Sequence, residues 1–461
     1  MLLLTLSSKI MRTVSHGADL EQGASMSHTS STDTQTRKSQ LPPGAYRAVF
    51  ASSFGNLMES YDNLVYGYLA VYIGFNFFPS DDGTTSLLAT FATFAVGFIA
   101  RPIGTLIFGH IGDKYGRKSA LIISVVGMGV VTTLVGLLPT YNTVGVVAAT
   151  LLVILRMCQG IAVAGEWAGS AALLVEYAPK HLRGFFGSFN QVSTAGGFLM
   201  AAAVVTGITT ILSDEQMYAW GWRIPFLIGA LTGIAAIVLR FGMADTPAYR
   251  EEKAEGNVVK APLLVALKTQ FPAILRGFGF TVVWTVSYFF FLTYVPTFLT
   301  TEVGVDPGYA RASNLITLVI FFLIIAPFGY LSDKFGRKPF LLIGAIGFLV
   351  LSFPALWLLT TGNHLYVFLG QLIIAVILAS FSGAGIAALS EFFPTNVRYS
   401  ALGIGYNFSV MAFGGTAPFI GTAIVGATGM PILTALLPTV AGLITSIVIL
   451  TMRETYREEL R

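Results

Sequence analysis

The sequence predicts an all-α integral membrane protein, with twelve transmembrane helices arranged as two six-helix, pseudo-symmetric halves. Three observations predict it: the composition, a succession of apolar segments of helical length, and an internal repeat. Hydrophobic residues make up 54% of the chain and charged residues 11%, with a mean hydropathy of +0.73, whereas soluble domains carry about 25% charged residues. Across 461 residues this leaves little for a soluble domain.

Residues 1–46 are rich in Ser, Thr and Gln and read as a disordered cytoplasmic tail. Its opening MLLLTL is too short for a signal-peptide core. Met26 begins an ordinary hydrophilic leader, so residues 1–25 are expected to be an artefact of the assigned start. Apolar segments long enough to cross a bilayer follow at 47–78, 87–109, 119–138, 146–175, 185–212 and 221–243, an N-terminal half spanning 47–243. The polar stretch 244–269, with Arg250, Glu251, Glu252, Lys253 and Glu255, reads as a cytoplasmic linker. Six more segments at 270–300, 311–331, 339–359, 365–391, 399–424 and 430–452 make a C-terminal half over 270–453, and 454–461 form a short cytoplasmic tail.

Basic residues gather on alternate loops. Lys114, Arg117, Lys118, Lys180, Arg183, Lys334, Arg337, Lys338 and Arg398 share one side with the linker, and Arg223 and Arg311 fall on the other. This bias places both termini in the cytoplasm by the positive-inside rule, in a multi-pass protein of the bacterial cytoplasmic (inner) membrane. It also accounts for the net charge of +4 without a nucleic-acid partner. The partners expected are a small-molecule solute and the lipid bilayer, and the chain is expected to function as a monomer.

The repeat carries the architecture. Gly109-His-Ile-Gly-Asp113-Lys-Tyr-Gly116-Arg117-Lys118 returns, 220 residues later, as Gly329-Tyr-Leu-Ser-Asp333-Lys-Phe-Gly336-Arg337-Lys338. Glu176-x-x-Pro179-x-x-x-Arg183 returns 215 residues later as Glu391-x-x-Pro394-x-x-x-Arg398. Two pairs at nearly one period imply duplication. Alone, each loop reads as a topology anchor. At matched positions, an Asp beside basic groups reads as a cytoplasmic latch on neighbouring helix ends, formed by Asp113, Arg117, Lys118, Asp333, Arg337, Lys338, Glu176, Arg183, Glu391 and Arg398.

The chain offers no enzyme chemistry. Cys158 is the only cysteine, and His16, His28, His110, His181 and His364 are scattered, so neither a disulfide framework nor a metal site is expected. Walker A, H-E-x-x-H, G-x-S-x-G and dinucleotide patterns are missing. No cofactor is expected beyond a proton as coupling ion.

The doubled G-x-x-x-D-x-x-G-R-K loop resembles the signature of the major facilitator superfamily, whose repeated halves rock around a central site. A narrower set of motifs is similar to the metabolite:proton symporter family: Gly55-Asn-Leu-Met-Glu59-Ser-Tyr61-Asp62, Arg101-Pro102-x-Gly104, Arg156-x-x-Gln159-Gly160, Gly165-Glu166-Trp167, Gly221-Trp-Arg223-x-Pro225-Phe226 and Thr246-Pro247. The likeness runs from about residue 47 to 453. Asn63 departs from it, standing where that family usually has an aromatic after Tyr-Asp. The resemblance implies proton-coupled import of an organic acid of di- or tricarboxylate type, or of a zwitterionic osmolyte such as proline or betaine. The chain ends eight residues after Arg453, without the long coiled coil of an osmosensing member, so the organic acid is the expectation and the osmolyte the alternative. A drug antiporter would carry a Gly-Pro motif in the fifth span, where Phe185 to Leu212 holds no proline. A sensor without transport would need an output domain.

Charged residues in mid-span need a reason, because each costs about 2.5–3.5 kcal/mol on insertion scales. Glu59 and Asp62 lie about 60° apart on one helix face and, as neighbouring carboxylates out of water, favour binding a proton. They read as proton-coupling groups, with Glu166, or as carboxylates locked to an arginine. Arg101 and Arg156 read as solute ligands or as ion-pair scaffolding, and Gln159 lies one turn from Arg156. Glu166 is not a local partner of Arg156, at roughly 15 Å along the axis. Asn190, Gln191, Trp284, Tyr288, Tyr406 and Asn407 complete the expected solute-binding set, since such sites collect amides and aromatics near the midplane.

Overall fold

The computed structural model describes residues 45–115, 117–241, 268–393, 398–456 and 458. The N-terminal tail and the linker lie outside the described residues except at their last positions, as do the side chains of Asp113, Arg117 and Lys118.

Among the described residues, helices lie at all twelve of the expected apolar segments. In the first half they are Ala45–Tyr68 continued by Ala70–Phe77, Gly83–Ile99 continued by Arg101–Tyr115, Arg117–Leu137, Val146–Val163 continued by Glu166–Glu176, Arg183–Ile211 and Ile224–Phe241. In the second half they are Phe271–Ser287 running through Tyr288–Tyr294 into Val295–Thr301, Pro307–Phe335, Arg337–Thr360, His364–Glu391, Arg398–Ser409 running through Val410–Gly414 to Ala417–Thr428, and Leu436–Thr451. Among the described residues nine helices are long and apolar enough to cross a membrane unaided, and Ile122–Leu137 and Gly221–Ala235 are shorter apolar stretches. The first crossing is absent from both groups because it carries Asn56, Glu59, Asp62 and Asn63.

Interruptions fall in the helices that line the centre. The fourth breaks between Val163 and Glu166, and the seventh and eleventh each widen into a π-helical stretch, Tyr288–Tyr294 and Val410–Gly414. Such bulges free backbone groups and re-aim side chains, and they concentrate at functional sites. None of these breaks was legible from the apolar pattern.

The seventh and tenth helices are the most enclosed: 94% and 83% of their apolar windows are buried inside the protein, against 33–56% for the other seven long spans. Leu231, Leu275, Leu323, Val350, Ile447 and Leu450 are instead exposed on the outside, an apolar surface that only lipid can cover. Helices meet through glycine. A Cβ on Gly160 would lie 1.7 Å from the Gly97 carbonyl oxygen, and one on Gly197 would lie 2.1 Å from that of Leu57. Backbones therefore touch at these crossings, the close approach that small residues permit in membranes. At the end away from the basic loops, Asp82, Asp306 and Asn363 cap the second, eighth and tenth helices with side-chain oxygens that accept backbone N–H groups, satisfying donors the helix itself cannot.

Candidate functional site

A small cavity lies between the halves. Six aromatic side chains line it: Trp167 and Phe198 from the first half, and Trp284, Tyr288, Phe289 and Tyr406 from the second. The polar lining comprises Asn56, Glu59, Ser60 and Asn63 of the first helix, Gln191 and Thr194 of the fifth, and Thr285 of the seventh. Among the described residues of this lining Glu59 is the only carboxylate, and none is Arg, Lys or His.

The aromatic wall is fixed by its neighbours. Trp167 stacks on Tyr406 across the halves with ring centroids 3.6 Å apart and planes 7° from parallel. Trp284 donates through Nε1 to Ser382 Oγ at 3.1 Å, and the Tyr288 hydroxyl lies 3.4 Å from the same oxygen. These bonds use up the polar edges of the rings and leave their faces as walls. The halves also touch on both sides of the cavity. Toward the basic end, Asn407 donates to the Ala164 carbonyl at 2.9 Å and to Thr105 Oγ1 at 3.1 Å. Toward the other end, the Tyr68 hydroxyl donates to Asn314 Oδ1, and at the cavity wall Phe98 packs edge-on against Phe289.

Behind the cavity sits a charged network. Arg101 pairs with Glu59 at 2.8 Å, both side chains buried. The Arg156 guanidinium donates to Gln159 Oε1 at 2.5 Å and stacks over the rings of Tyr66 and Phe94. Gln159 Nε2 donates to Asp62 Oδ2 at 3.1 Å and to Thr132 Oγ1 at 3.0 Å, and the Thr132 hydroxyl donates to the same Asp62 oxygen at 2.6 Å. Glu59 and Asp62 thus both face the bundle, as their spacing predicts, but engage different partners.

Of the expected solute-binding residues, Gln191, Trp284, Tyr288 and Tyr406 line the cavity. Arg101, Arg156, Gln159, Asn190 and Asn407 do not. The arginines and Gln159 belong to the network behind. Asn190 is one residue from Gln191 and so about 100° around the helix; its side-chain oxygen accepts from Gln191 Nε2 at 2.8 Å, and its backbone carbonyl accepts from Asn56 at 2.8 Å. Asn407 bridges the halves. Glu166 is buried at the break in the fourth helix and does not line the cavity. Sequence reasoning missed Thr194, Thr285, Phe198 and Phe289, and it passed over Asn56 and Ser60 inside the Gly55–Asp62 motif without giving them a role. It quoted Trp167 only as part of a motif and Asn63 only as a departure from a family pattern.

The basic end carries the expected charge cluster in altered form. Asp333 accepts the backbone N–H groups of Gly184 and Phe185, each at 2.8 Å, and pairs with Arg337 at 2.7 Å. A carboxylate from the second half therefore caps the fifth helix of the first, where the helix dipole favours negative charge. Glu176 pairs with Arg398 at 3.2 Å across the halves, and Arg337 reaches Glu391 at 3.4 Å. Lys338 instead donates to the carbonyls of Leu450 and Met452, and Arg183 to that of Glu458. The C-terminal residues were not foreseen: Glu454 accepts the N–H groups of Arg337 and Lys338, each at 2.9 Å. The 221–226 motif is a clamp at the other end, with Arg223 donating to the carbonyls of Gly136 and Leu138.

Two helical halves around a polar and aromatic cavity, joined by charge clusters at one end, define a membrane transporter. The sequence model described as sugar (and other) transporter matches residues 48–258 and 249–461. The chain is 36% identical over 427 residues to the proline/betaine transporter of Escherichia coli (strain K12), covering 90% of this chain and 85% of that protein. It is also 36% identical over 428 residues to the glycine betaine/proline/ectoine/pipecolic acid transporter OusA of Dickeya dadantii (strain 3937), covering 90% and 84%. Its fold matches the partially occluded inward open conformation of the xylose transporter XylE from E. coli, with a TM-score of 0.70 at 20% identity over 91% of this chain and 100% of that one. The chain belongs to the sugar (and other) transporter family of the major facilitator superfamily, in agreement with its likeness to the metabolite:proton symporters. It is a transporter rather than an enzyme.

Proposed function

We propose that this protein imports a zwitterionic osmolyte of the betaine or proline type by proton symport with alternating access. The central cavity carries this reading: six aromatic rings and the Glu59 carboxylate surround a space whose lining has no cation. A quaternary or secondary ammonium is attracted by ring faces and by the carboxylate. The amides of Asn63 and Gln191 suit the zwitterion's own carboxylate, whereas the Asn56 amide nitrogen is already engaged by the Asn190 carbonyl, Ser193 and Thr194. A di- or tricarboxylate would bring two or three negative charges toward Glu59 with Arg101 already neutralised by that residue. The expectation of an organic acid therefore gives way to its alternative, which the names of the relatives also favour.

In this reading the basic end faces the cytoplasm, both termini lie there, and the membrane is the bacterial inner one. Protonation of Glu59 or Asp62 lowers the buried charge and permits the halves to reorient around the solute, with the latch residues holding the cytoplasmic end. The proton is the only coupling species, nucleic acid has no part, and a single chain suffices.

Uptake into proteoliposomes of labelled glycine betaine, proline, ectoine, citrate and 2-oxoglutarate, with and without an inward proton gradient, tests it. Gradient-driven accumulation of a zwitterion is expected. Accumulation of citrate or 2-oxoglutarate alone would overturn the choice of solute.

A further inference from the structure

Phe98 stands where the charge network of the first half meets the two bulged helices of the second. Ala100 separates Gly83–Ile99 from Arg101–Tyr115, so Phe98 and Arg101 flank a break in the second helix. The Arg101 guanidinium, bound to Glu59 at 2.8 Å, lies over the Phe98 ring 4.5 Å from its centroid. The ring also meets Phe289 edge-on at 4.7 Å, and Phe94 packs against both, at 5.0 and 5.9 Å. Edge-to-face contacts of this kind fix ring orientation as well as burying area.

Both π-helical stretches of the second half reach this point. Phe289 belongs to Tyr288–Tyr294, and Gly415 follows Val410–Gly414, its N–H donating to the Val410 carbonyl at 2.9 Å. A Cβ on Gly415 would lie 2.6 Å from Phe98 Cγ, and one on Gly414 would lie 2.8 Å from Phe289 Cδ2. Gly415 has φ −65°, which any residue adopts, so this glycine makes room for Phe98 and is not needed by the backbone. Phe98 is 1% exposed and lies outside the lining of the solute cavity, to which Phe289 belongs.

We propose that Phe98 is a positioning residue that couples the Glu59–Arg101 ion pair to the bulged seventh and eleventh helices and, through Phe289, to the solute. The inference rests on the proton-symport reading above. With Glu59 ionised, Arg101 is held between carboxylate and ring. A proton on Glu59 removes the carboxylate charge, the ring face becomes the stronger attraction for the cation, and Arg101 settles toward Phe98. A close-packed interior transmits such a displacement rather than absorbing it, so the shift reaches Phe289 and Gly415, one inside a bulge and the other beside one. By linkage, solute held against Phe289 changes the proton affinity of Glu59 by the same factor as the proton changes that of the solute.

Other charged and titratable groups surround Glu59. Asp62 of the first helix and Glu166 of the fourth are within coulombic reach of it, and Arg156 of the fourth is within reach of Asp62. Tyr288 of the seventh and Tyr406 of the eleventh line the same cavity, to which the fifth presents Gln191, Thr194 and Phe198. Arg101 is the member of this set that stacks on Phe98.

Equilibrium binding of glycine betaine to the purified protein over a pH series tests the coupling. Wild-type affinity is expected to rise about ten-fold on acidification, and Phe98→Leu, which removes the ring, to stay within about two-fold of wild type at alkaline pH while losing most of that rise. An unchanged rise in Phe98→Leu would overturn the coupling, as would weakening by one factor at every pH, which marks a purely structural residue; either leaves proton symport standing. Wild-type uptake that ignores a proton gradient would overturn proton symport and the coupling with it. If Phe98→Leu does not fold, hydrogen–deuterium exchange of Glu59→Gln against wild type, at one pH and without solute, decides. Exchange over Val410–Gly415 is expected to change about two-fold more than over Arg337–Thr360 of the ninth helix, and equal change in both would refute the coupling.

Discussion

Arg101 and Glu59 form a 2.8 Å ion pair in which both side chains are buried, and this pair sets the chemical character of the solute cavity. One oxygen of Glu59 is bound to the guanidinium, and the other faces no protein donor. Removing one partner of such a pair leaves an uncompensated charge, at a cost of about 3–5 kcal/mol. Arg101→Ala is therefore expected to lower the Tm of the purified protein sharply, and the double variant Arg101→Ala/Glu59→Gln to recover part of the loss. A thermal-shift assay in detergent checks both.

The stacked pair Trp167 and Tyr406 should hold the onium group of the solute. A desolvated cation–π contact contributes on the order of 2 kcal/mol, so Trp167→Ala is expected to weaken glycine betaine binding roughly thirty-fold. Trp167→Phe, which keeps a ring, should lose less. Equilibrium binding isotherms of the three proteins measure this directly.

Asp333 ties the start of the fifth helix to the eighth through two backbone N–H groups. Without its charge, Asp333→Asn should weaken closure of the basic end by about 1–2 kcal/mol, roughly a ten-fold shift toward conformers open at that end. Spin-label distances between the fifth and eighth helices would reveal the shift, and turnover should fall while solute affinity on the other side stays near wild type.

Glu454 caps the ninth helix by accepting from Arg337 and Lys338 N–H. Loss of a helix cap costs about 1 kcal/mol. Glu454→Ala is expected to lower Tm modestly without altering betaine affinity, since the residue does not line the solute cavity.

The crossings were legible because apolar length suffices to mark a span. Even the first, whose Glu59 and Asp62 dilute its hydropathy, stood out through its length. The roles of Arg101 and Arg156 were not legible, because pairing depends on how helices rotate against one another and a single helix's pattern does not specify that rotation. Asn190 and Gln191 make the same point: they are adjacent in sequence, yet only Gln191 lines the cavity. The aromatic wall was half seen. Trp284, Tyr288 and Tyr406 stood out as polar-edged rings in spans, whereas Phe198 and Phe289 resemble any lipid-facing or core phenylalanine. The bonds of Glu454 escaped notice because a polar tail gives no periodic signal.

The central claim is that the cavity beside Glu59 takes a zwitterion bearing an onium group. Its most direct test is equilibrium binding of labelled glycine betaine to the purified protein, competed with unlabelled proline, ectoine, citrate and 2-oxoglutarate. Saturable binding that proline or ectoine displaces, that citrate leaves intact and that Trp167→Ala weakens roughly thirty-fold is the predicted result. Absence of betaine binding alongside saturable binding of citrate would contradict the account.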